Sequence, residues 1–500
     1  MRIIPSRSRR LATMALCGAA TASACLLSVS SLASPQRVTA DRPEPGLQGQ
    51  TLPQDLKTPV LPVPYSKGVR IVGQTSLGNR GTNLQMAWVD DCAYVSSSVA
   101  IPGLPVEEAR AKDPAFGGVA VIDVRDPTKP QQVATLRDKA SILAVETMHA
   151  VSAPGRKVLA AGAYEANVAD KKPWLDIYDV SSCRKPKLMS EFVWPETVHE
   201  VTVSPNGKRV YGTVIHPFAG TGGILVLDIS DMAHPRYLGK FGVSRPDGTA
   251  YEFATHEISI SPDEKRIYAG VIASRGGDLN RTLTKKGPSA EGLGPEAGGI
   301  YILDNSDIAA GRPDPKMRLI GTVEHGGWHS VVQARIGGRP YLVGAGEIGG
   351  CPGAWPRIST IADETKPRIV GEFRLAMNRP ENCPARAGIE AATNGIVGQP
   401  GTASSHFNDV DDAIDTRLGL FQFSYGGLRI ADLRDPAKPT EVAYFKPGDP
   451  CISHVRYVRA TGHIWFACML SGFHVIALKD DVRATLGLPR VTATGSKRRN

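Results

Sequence analysis

Short apolar strands that end in aspartate recur along the chain. The copies occupy residues 119–123, 175–179, 224–228, 300–304 and 428–432. A turn and another strand usually follow, as at 237–241, and a hairpin precedes each copy, most clearly at 199–214. Each unit therefore has four strands of alternating or continuous apolar character, the arrangement that is typical of a β-propeller blade.

Seven such units can be placed along the chain. With the strands of a blade named a to d from the channel outward, the predicted a strands begin near Gln85, His149, His199, His256, His329, His406 and His454. The seventh unit has no d strand of its own, whereas residues 69–75 have a d-strand pattern and belong to no other unit. We therefore predict an all-β, seven-bladed β-propeller, whose ring is closed by strand 69–75 completing blade seven.

The recurring segments resemble the LVIVD repeat, a bacterial β-propeller repeat named after the sequence of its third strand. The resemblance extends from Val69 to about Ala477. It implies the propeller fold and an exported bacterial protein. It implies almost nothing about activity, because propellers support many unrelated functions.

The two ends of the chain differ in composition from the repeats. Residues 1–33 have the pattern of a signal peptide, with arginines at 7, 9 and 10, an uncharged apolar run and a small-residue cleavage site. We predict a flexible leader over 34–67, the propeller over 68–482 and a C-terminal tail over 483–500. The mature protein is then periplasmic or secreted and has no membrane span. Export by the general or by the twin-arginine route remains open.

The charge balance adds little to this picture. The formal net charge of +9 includes the signal-peptide arginines and the Lys497-Arg498-Arg499 tail. Without them no basic stripe remains, so nucleic acid is not an expected partner.

Six cysteines follow the predicted signal peptide, and an even number in an exported chain favours disulfides. The predicted blade positions bring three pairs onto common faces: Cys92–Cys183, Cys351–Cys383 and Cys451–Cys468. Cys451 has an alternative role as a thiolate metal ligand, because it lies three residues before a histidine.

One column of the repeat alignment is histidine in blades two to seven. Its members are His149, His199, His256, His329, His406 and His454. Because a strands line the channel, their first residues converge on the propeller axis. Duplicated blades can also inherit a structural histidine, as WD-type propellers do, and this alternative needs no ligand.

The longest predicted loops join strands b to c or d to a, and they lie on the same face as the histidines. Binding sites are often built from such loops on a rigid scaffold. His325 is a candidate seventh ligand and His216 opens one of these loops, whereas His234 is expected at the surface.

Six neutral imidazoles buried together would lack hydrogen-bond partners, and a bound transition metal resolves this. Glu146 and Glu196 each lie three residues before a column histidine and are candidate catalytic carboxylates. Imidazole ligands suit copper, zinc or iron. Six of them exceed one tetrahedral zinc, so we expect one or more copper ions, with iron or zinc as alternatives.

The predicted arrangement is similar to that of seven-bladed copper enzymes, namely nitrous oxide reductase, thiocyanate dehydrogenase and methanethiol oxidase, although their adjacent His-His motifs are absent from this sequence. We predict an exported, copper-dependent oxidoreductase that acts on a small-molecule substrate and passes electrons to a periplasmic acceptor. The alternative is a non-catalytic propeller that binds a protein or a glycan through its loop face, with structural histidines.

Overall fold

The computed structural model describes residues 40–58, 60–80, 82–97, 117–164, 172–214, 223–244, 250–251, 253–274, 299–324, 328–346, 351–385 and 404–489. Within these ranges the strands form seven sheets, which are antiparallel except for one parallel pair at the outer edge of blade four. The predicted seven-bladed β-propeller is confirmed.

Blades one to three each contain four strands, given from a to d. Blade one consists of Asn83–Val89, Cys92–Ser97, Val119–Asp123 and Gln131–Leu136. Blade two consists of Met148–Ala153, Arg156–Gly162, Trp174–Asp179 and Lys187–Val193. Blade three consists of Val201–Val203, Arg209–Thr213, Ile224–Asp228 and Arg236–Phe241.

Blades four and six carry additional outer strands. Blade four consists of Phe253–Ile260, Arg266–Ser274, Gly299–Asp304 and Met317–Glu324, extended by Val243–Ser244 and Ala250–Tyr251. Blade five consists of Trp328–Ile336, Arg339–Gly346, Arg357–Thr360 and Arg368–Glu372. Blade six consists of Asn408–Val410, Leu418–Gln422, Leu428–Asp432 and Thr440–Lys446, extended by Tyr65–Lys67.

Blade seven combines strands from the two ends of the propeller. Its inner strands are Arg456–Val458, His463–Cys468 and Gly472–Leu478, and its outermost strand is Val69–Thr75. The N-terminal strand runs antiparallel to the third, with Val69 opposite Leu478 and Thr75 opposite Phe473. This pairing joins the beginning of the propeller to its end. The outer edge of the third strand of blade seven is therefore hydrogen-bonded rather than exposed.

Apolar faces of neighbouring blades form the core. Between blades six and seven, for example, Leu420 and Ile430 pack in one buried cluster with Ile464 and Ile476. The β-branched and aliphatic side chains of the repeat are therefore used on both faces of the b and c strands. Each blade is held by its two neighbours rather than by a central core, as in other repeat architectures.

The helical elements are short. They are the α-helices Ser306–Ala309 and Asp480–Thr485 and the 3-10 turns Asp55–Lys57, Leu77–Asn79, Ser141–Leu143, Ala376–Asn378 and Pro380–Ala385. Helix Asp480–Thr485 crosses the predicted boundary between propeller and tail. Among the described residues, no helix has the length and apolar character needed to cross a membrane.

The segment predicted as a flexible leader packs against blade six where it is described. Strand Tyr65–Lys67 pairs with Thr440–Lys446, and Glu44 forms a buried ion pair with Arg429. Composition alone suggested flexibility because the segment has no apolar period. Its attachment depends instead on backbone pairing and on one buried charge, neither of which a hydrophobicity pattern reveals.

All three predicted disulfides are present. Cys92–Cys183, Cys351–Cys383 and Cys451–Cys468 have Cα–Cα distances of 5.7, 5.7 and 4.1 Å. The alternative role of Cys451 as a thiolate ligand does not apply, because its sulfur is bonded to Cys468. Three disulfides are typical of a protein that matures outside the cytoplasm.

Candidate metal centre

Hydrogen bonds between strands a and b fix equivalent positions in different blades. The N–H groups of Gly162, Thr213 and Gln422 donate to the carbonyl oxygens of Thr147, Glu200 and Phe407, respectively. In each of these blades, one residue of strand b pairs with the aspartate that ends strand c. The three pairs are Val158–Asp179, Arg209–Asp228 and Leu418–Asp432. Each N–H donor lies four residues after the strand b member of its pair. The residues immediately before the three acceptors are therefore equivalent, and they are Glu146, His199 and His406.

The same register places His256 of blade four and His329 of blade five at this position. We call Glu146, His199, His256, His329 and His406 the channel ring. All five are buried, with exposed fractions of 7%, 4%, 1%, 0% and 1% in that order. Five consecutive blades thus each contribute one metal-ligating residue type to the same level of the channel.

The four imidazoles of the channel ring follow one another in blade order. Ring centroids are 4.2 Å apart for His199 and His256, 3.7 Å for His256 and His329, and 3.9 Å for His329 and His406. The Nε2 atoms of His199 and His256 are 2.9 Å apart. The rings are therefore in contact along the whole arc.

Glu146 reaches across the channel to all four histidines. Its Oε2 lies 3.4 Å from Nε2 of His199 and 3.9 Å from Nε2 of both His256 and His329. Its Oε1 lies 3.3 Å from Nε2 of His406. The backbone is held in place by Thr147, whose hydroxyl donates to the carbonyl of His199 at 2.8 Å.

Close packing at Gly162 also positions Glu146. A Cβ atom at Gly162 would lie 2.3 Å from Cγ2 of Thr147, so the strand can approach this segment only because the residue is glycine.

Contacts outside the channel ring orient two of the imidazoles. Nδ1 of His406 donates to the carbonyl of Ile452 at 3.0 Å, which places its proton on Nδ1 and a lone pair on Nε2. Nδ1 of His256 lies 3.0 Å from Oε1 of Glu200, a carboxylate that favours the same tautomer. Such outer contacts are the usual support of metal-binding histidines.

The donor set fits a cation. Imidazole lone pairs and carboxylate oxygens converge here, and without a proton or a metal between them they would repel one another. Ligand atoms at about 2.1 Å from one ion lie between roughly 2.9 and 4.2 Å from each other. The five distances given above, from Glu146 to each ring histidine and from His199 to His256, are between 2.9 and 3.9 Å and fall in that interval. Two overlapping groups meet the geometric requirement for an ion, Glu146–His199–Glu200–His256 and Glu146–His329–His406.

The electrostatics of the channel ring favour an anionic carboxylate at Glu146 and a neutral imidazole at His329. Burial alone would raise the pKa of Glu146, but hydrogen bonds and charge from His199 and His406 hold it well below its usual value. Burial and the neighbouring histidines lower the pKa of His329 well below its usual value. A deprotonated carboxylate and a neutral imidazole are the forms that bind metals.

Two histidines of the predicted column lie outside the channel ring. His149 follows Glu146 by three residues, and its Nδ1 accepts the N–H of Val203 at 3.1 Å. Strand pairing in blade two places Glu146 at the level of the channel ring and His149 three residues further along the chain, so His149 is not equivalent to the ring histidines. His149 as a ligand stays a prediction.

His454 is also placed away from the imidazole arc. Its Nε2 lies 3.3 Å from Oε1 of Glu257, and its Nδ1 lies 3.2 Å from Oδ2 of Asp409. Burial lowers the pKa of His454, but the two carboxylates outweigh burial and raise it well above its usual value. Both ring nitrogens of His454 face carboxyl oxygens rather than the other imidazoles, and His454 as a ligand stays a prediction.

Glu196 does not join Glu146 at the site. It forms an ion pair with Lys240 at 2.9 Å, and its side chain is 35% exposed. The two carboxylates were predicted together from their spacing before histidines, but only Glu146 occupies a channel position. His234 is at the surface as predicted, 84% exposed and paired with Asp231, while His216 and His325 lie outside the described residues.

Sequence reasoning missed Glu200 and Glu257. Both follow a ring histidine directly, and both contact a histidine of another position, His256 and His454. The His-Glu dipeptide in blades three and four was the available signal. Its meaning depends on how neighbouring a strands cross, which the sequence of one blade does not contain.

No protein-family model matches this chain, and no curated protein matches it. Among solved structures it is similar to the periplasmic gluconolactonase of Pseudomonas aeruginosa, at 11% identity and a TM-score of 0.45, over 73% of this chain and 96% of that one. It is similar to the β-propeller domain of Cps50 (Swd1) from Myceliophteria thermophila, at 10% identity and a TM-score of 0.47, over 80% and 97% of the two chains. These likenesses concern the fold alone.

Proposed function

We propose that the channel ring binds one transition-metal ion and that the protein is an exported, metal-dependent oxidoreductase acting on a small molecule. One observation carries the proposal: a carboxylate oxygen of Glu146 lies 3.3 to 3.9 Å from Nε2 of each of four imidazoles, which come from four successive blades, and Nε2 of His199 and Nε2 of His256 are 2.9 Å apart. Inherited structural histidines would not require a buried carboxylate among them.

Copper is the ion that we expect, because divalent copper binds nitrogen ligands most tightly among the first-row metals. Zinc fits less well, since five donors exceed its usual four in protein sites. Iron, which accepts five donors and keeps a sixth position open, is the second choice. A redox-active ion at this place would supply electron transfer to or from the substrate.

The protein residues have separate tasks in this proposal. Glu146 provides the negative charge that offsets that of the ion. The carbonyl of Ile452 holds the proton of His406 on Nδ1, so that Nε2 of His406 remains directed into the channel, and Oε1 of Glu200 places a negative charge 3.0 Å from Nδ1 of His256. Burial of all five ring residues excludes bulk water, which strengthens every charge interaction within the site.

Alanine substitutions of two histidines test the assignment against the original alignment. We expect His199→Ala to lower the amount of bound metal at least about tenfold, because a ligand is lost. His149→Ala is expected to retain the metal, because His149 lies at a different level of the channel. The measurement is metal content by plasma mass spectrometry on folded, monodisperse protein.

Equal metal loss in both variants would return His149 to the ligand set and contradict the register described above. Unchanged metal content in His199→Ala, in protein that binds metal as wild type, would favour the non-catalytic propeller with structural histidines.

A further inference from the structure

A cavity of about 300 Å³ lies in the channel next to the channel ring. Its polar end is formed by His149, Glu257, Asp409 and His454. It extends to Pro205, which belongs to the short turn between strands a and b of blade three. The cavity therefore occupies the short-turn side of the channel, whereas the long predicted loops belong to the opposite face.

The wall of the cavity is largely apolar. Met86, Met148, Val151, Ile258 and Val332 contribute to it, and Trp88 adds an aromatic face. A volume near 300 Å³ is at the lower end for small-molecule sites, and it suits a molecule of about the size of one substituted aromatic ring.

One polar atom at the cavity has no partner. Oε1 of Glu257 contacts His454, but Oε2 is buried and accepts no hydrogen bond from any described residue. The whole residue is 7% exposed. A buried polar atom without a partner is unfavourable by itself, and the residue that carries it lines the cavity, so the carboxyl group of Glu257 is the natural partner of a hydrogen-bonding group on a ligand.

The chemistry of the polar end restricts that ligand. Asp409 and Glu257 each direct an oxygen to His454, and Oδ2 of Asp409 also accepts the N–H of Val455 at 2.7 Å. Two carboxyl groups at this end of the cavity disfavour an anion and favour a ligand with an O–H or N–H group. Glu257 is also the neighbour in sequence of His256, a member of the channel ring.

We propose that this cavity is the substrate site, and that the substrate is a small, mainly apolar molecule with one hydroxyl or amino group that hydrogen-bonds to the carboxyl group of Glu257. The inference rests on the proposed function for the chemistry that follows binding. It places the substrate on the short-turn side of the metal rather than under the long loops.

Phenol, toluene and benzoate are suitable probes, because they share a ring and differ in the polar group. Their dissociation constants are measured by calorimetry on the protein as isolated, with metal content determined on the same samples. Phenol is expected to bind more tightly than toluene, and benzoate is expected not to bind.

Two substitutions and one control locate the binding. Glu257→Met removes the acceptor at similar length and is expected to weaken phenol about tenfold or more, while toluene changes little. Val332→Phe fills the cavity from blade five and is expected to weaken the binding of phenol and of toluene by at least about tenfold. Val133→Phe, on the outer strand of blade one, should change neither, because Val133 lies outside the cavity.

Phenol binding that is unchanged in Val332→Phe, or toluene binding as tight as phenol in wild type, would overturn the inference. The metal measurement separates the two proposals. Protein with metal that fails to bind phenol contradicts only the substrate site. Protein that binds phenol in this pattern but holds no metal contradicts only the proposed oxidoreductase function.

Discussion

Glu146→Gln is expected to lower the affinity of the channel for its metal at least tenfold to a hundredfold, while Glu196→Gln leaves it unchanged. Glutamine keeps the size of the side chain but removes a carboxylate that, alone among the described residues, contacts all four ring histidines. Glu196 is a matched control, because it also precedes a histidine by three residues but pairs with Lys240 at the surface.

The measurement is a competition titration of the metal-free protein against a chelator of known affinity. Circular dichroism and gel filtration on each variant show whether the fold is retained. Equal affinities of Glu146→Gln and wild type would mean that the carboxylate is no ligand, and the proposed five-donor site would be wrong.

Arg429→Met is expected to destabilise the protein by about 3–5 kcal/mol. The Arg429 side chain is 0% exposed, and its two Nη atoms donate to the two oxygens of Glu44 at 2.7 and 2.8 Å. Its Nη1 also donates to Glu441 at 3.2 Å. Methionine would leave the carboxylate of Glu44 buried without its guanidinium partner. Removing one partner of a buried ion pair is strongly destabilising, because the remaining charge is neither hydrated nor paired.

Arg434→Met provides the control for this substitution. Arg434 pairs with Asp432 at 2.6 Å, but its side chain is 49% exposed, so its removal is expected to cost no more than about 1 kcal/mol. Urea unfolding of the oxidised proteins gives both values. Similar losses in the two variants would show that the buried ion pair does not fasten the N-terminal segment to blade six.

The effect of Arg429→Met should also depend on pH. Burial raises the pKa of Glu44, but hydrogen bonds and charge from Arg429, with charge from Lys446, outweigh it and hold the pKa below its usual value of 4.5. A lowered pKa contributes stability that is fully present above about pH 4.5 and is lost as the pH falls through the folded value. The difference between wild type and Arg429→Met should therefore shrink in acid.

The fold could be predicted from the sequence because its evidence is repeated. The aspartate-terminated c strand occurs in blade after blade, so an error in one copy is corrected by the others. The disulfide pairs followed from the same frame, since a blade assignment places Cys451 and Cys468 on one hairpin and Cys92 and Cys183 on adjacent blades. Repetition thus specified topology and long-range contacts together.

The site could be predicted only in part, because it depends on register within single blades. His199, His256, His329 and His406 fell at the level that strand pairing defines. In blade two the histidine of the column, His149, lies three residues after the equivalent position, which is Glu146. An alignment that searches for histidine in every blade also passes over Glu146, because a glutamate occupies the equivalent position in blade two.

Carboxylate partners were harder still to predict. Glu257 and Asp409 surround His454 because strands from blades four, six and seven meet at the axis. The local sequence pattern of one blade does not reveal contacts between strands of different blades. The N-terminal segment was missed for a similar reason, since its buried anchor is one long-range pair between Glu44 and Arg429.

The metal content of the wild-type protein, isolated from its native compartment without added metal, tests the central claim most directly. Plasma mass spectrometry is expected to find about one equivalent of copper per chain, in agreement with one ion bound by the channel ring. Less than about half an equivalent of any transition metal, with no uptake after incubation with copper, iron or zinc, would contradict the metal centre itself.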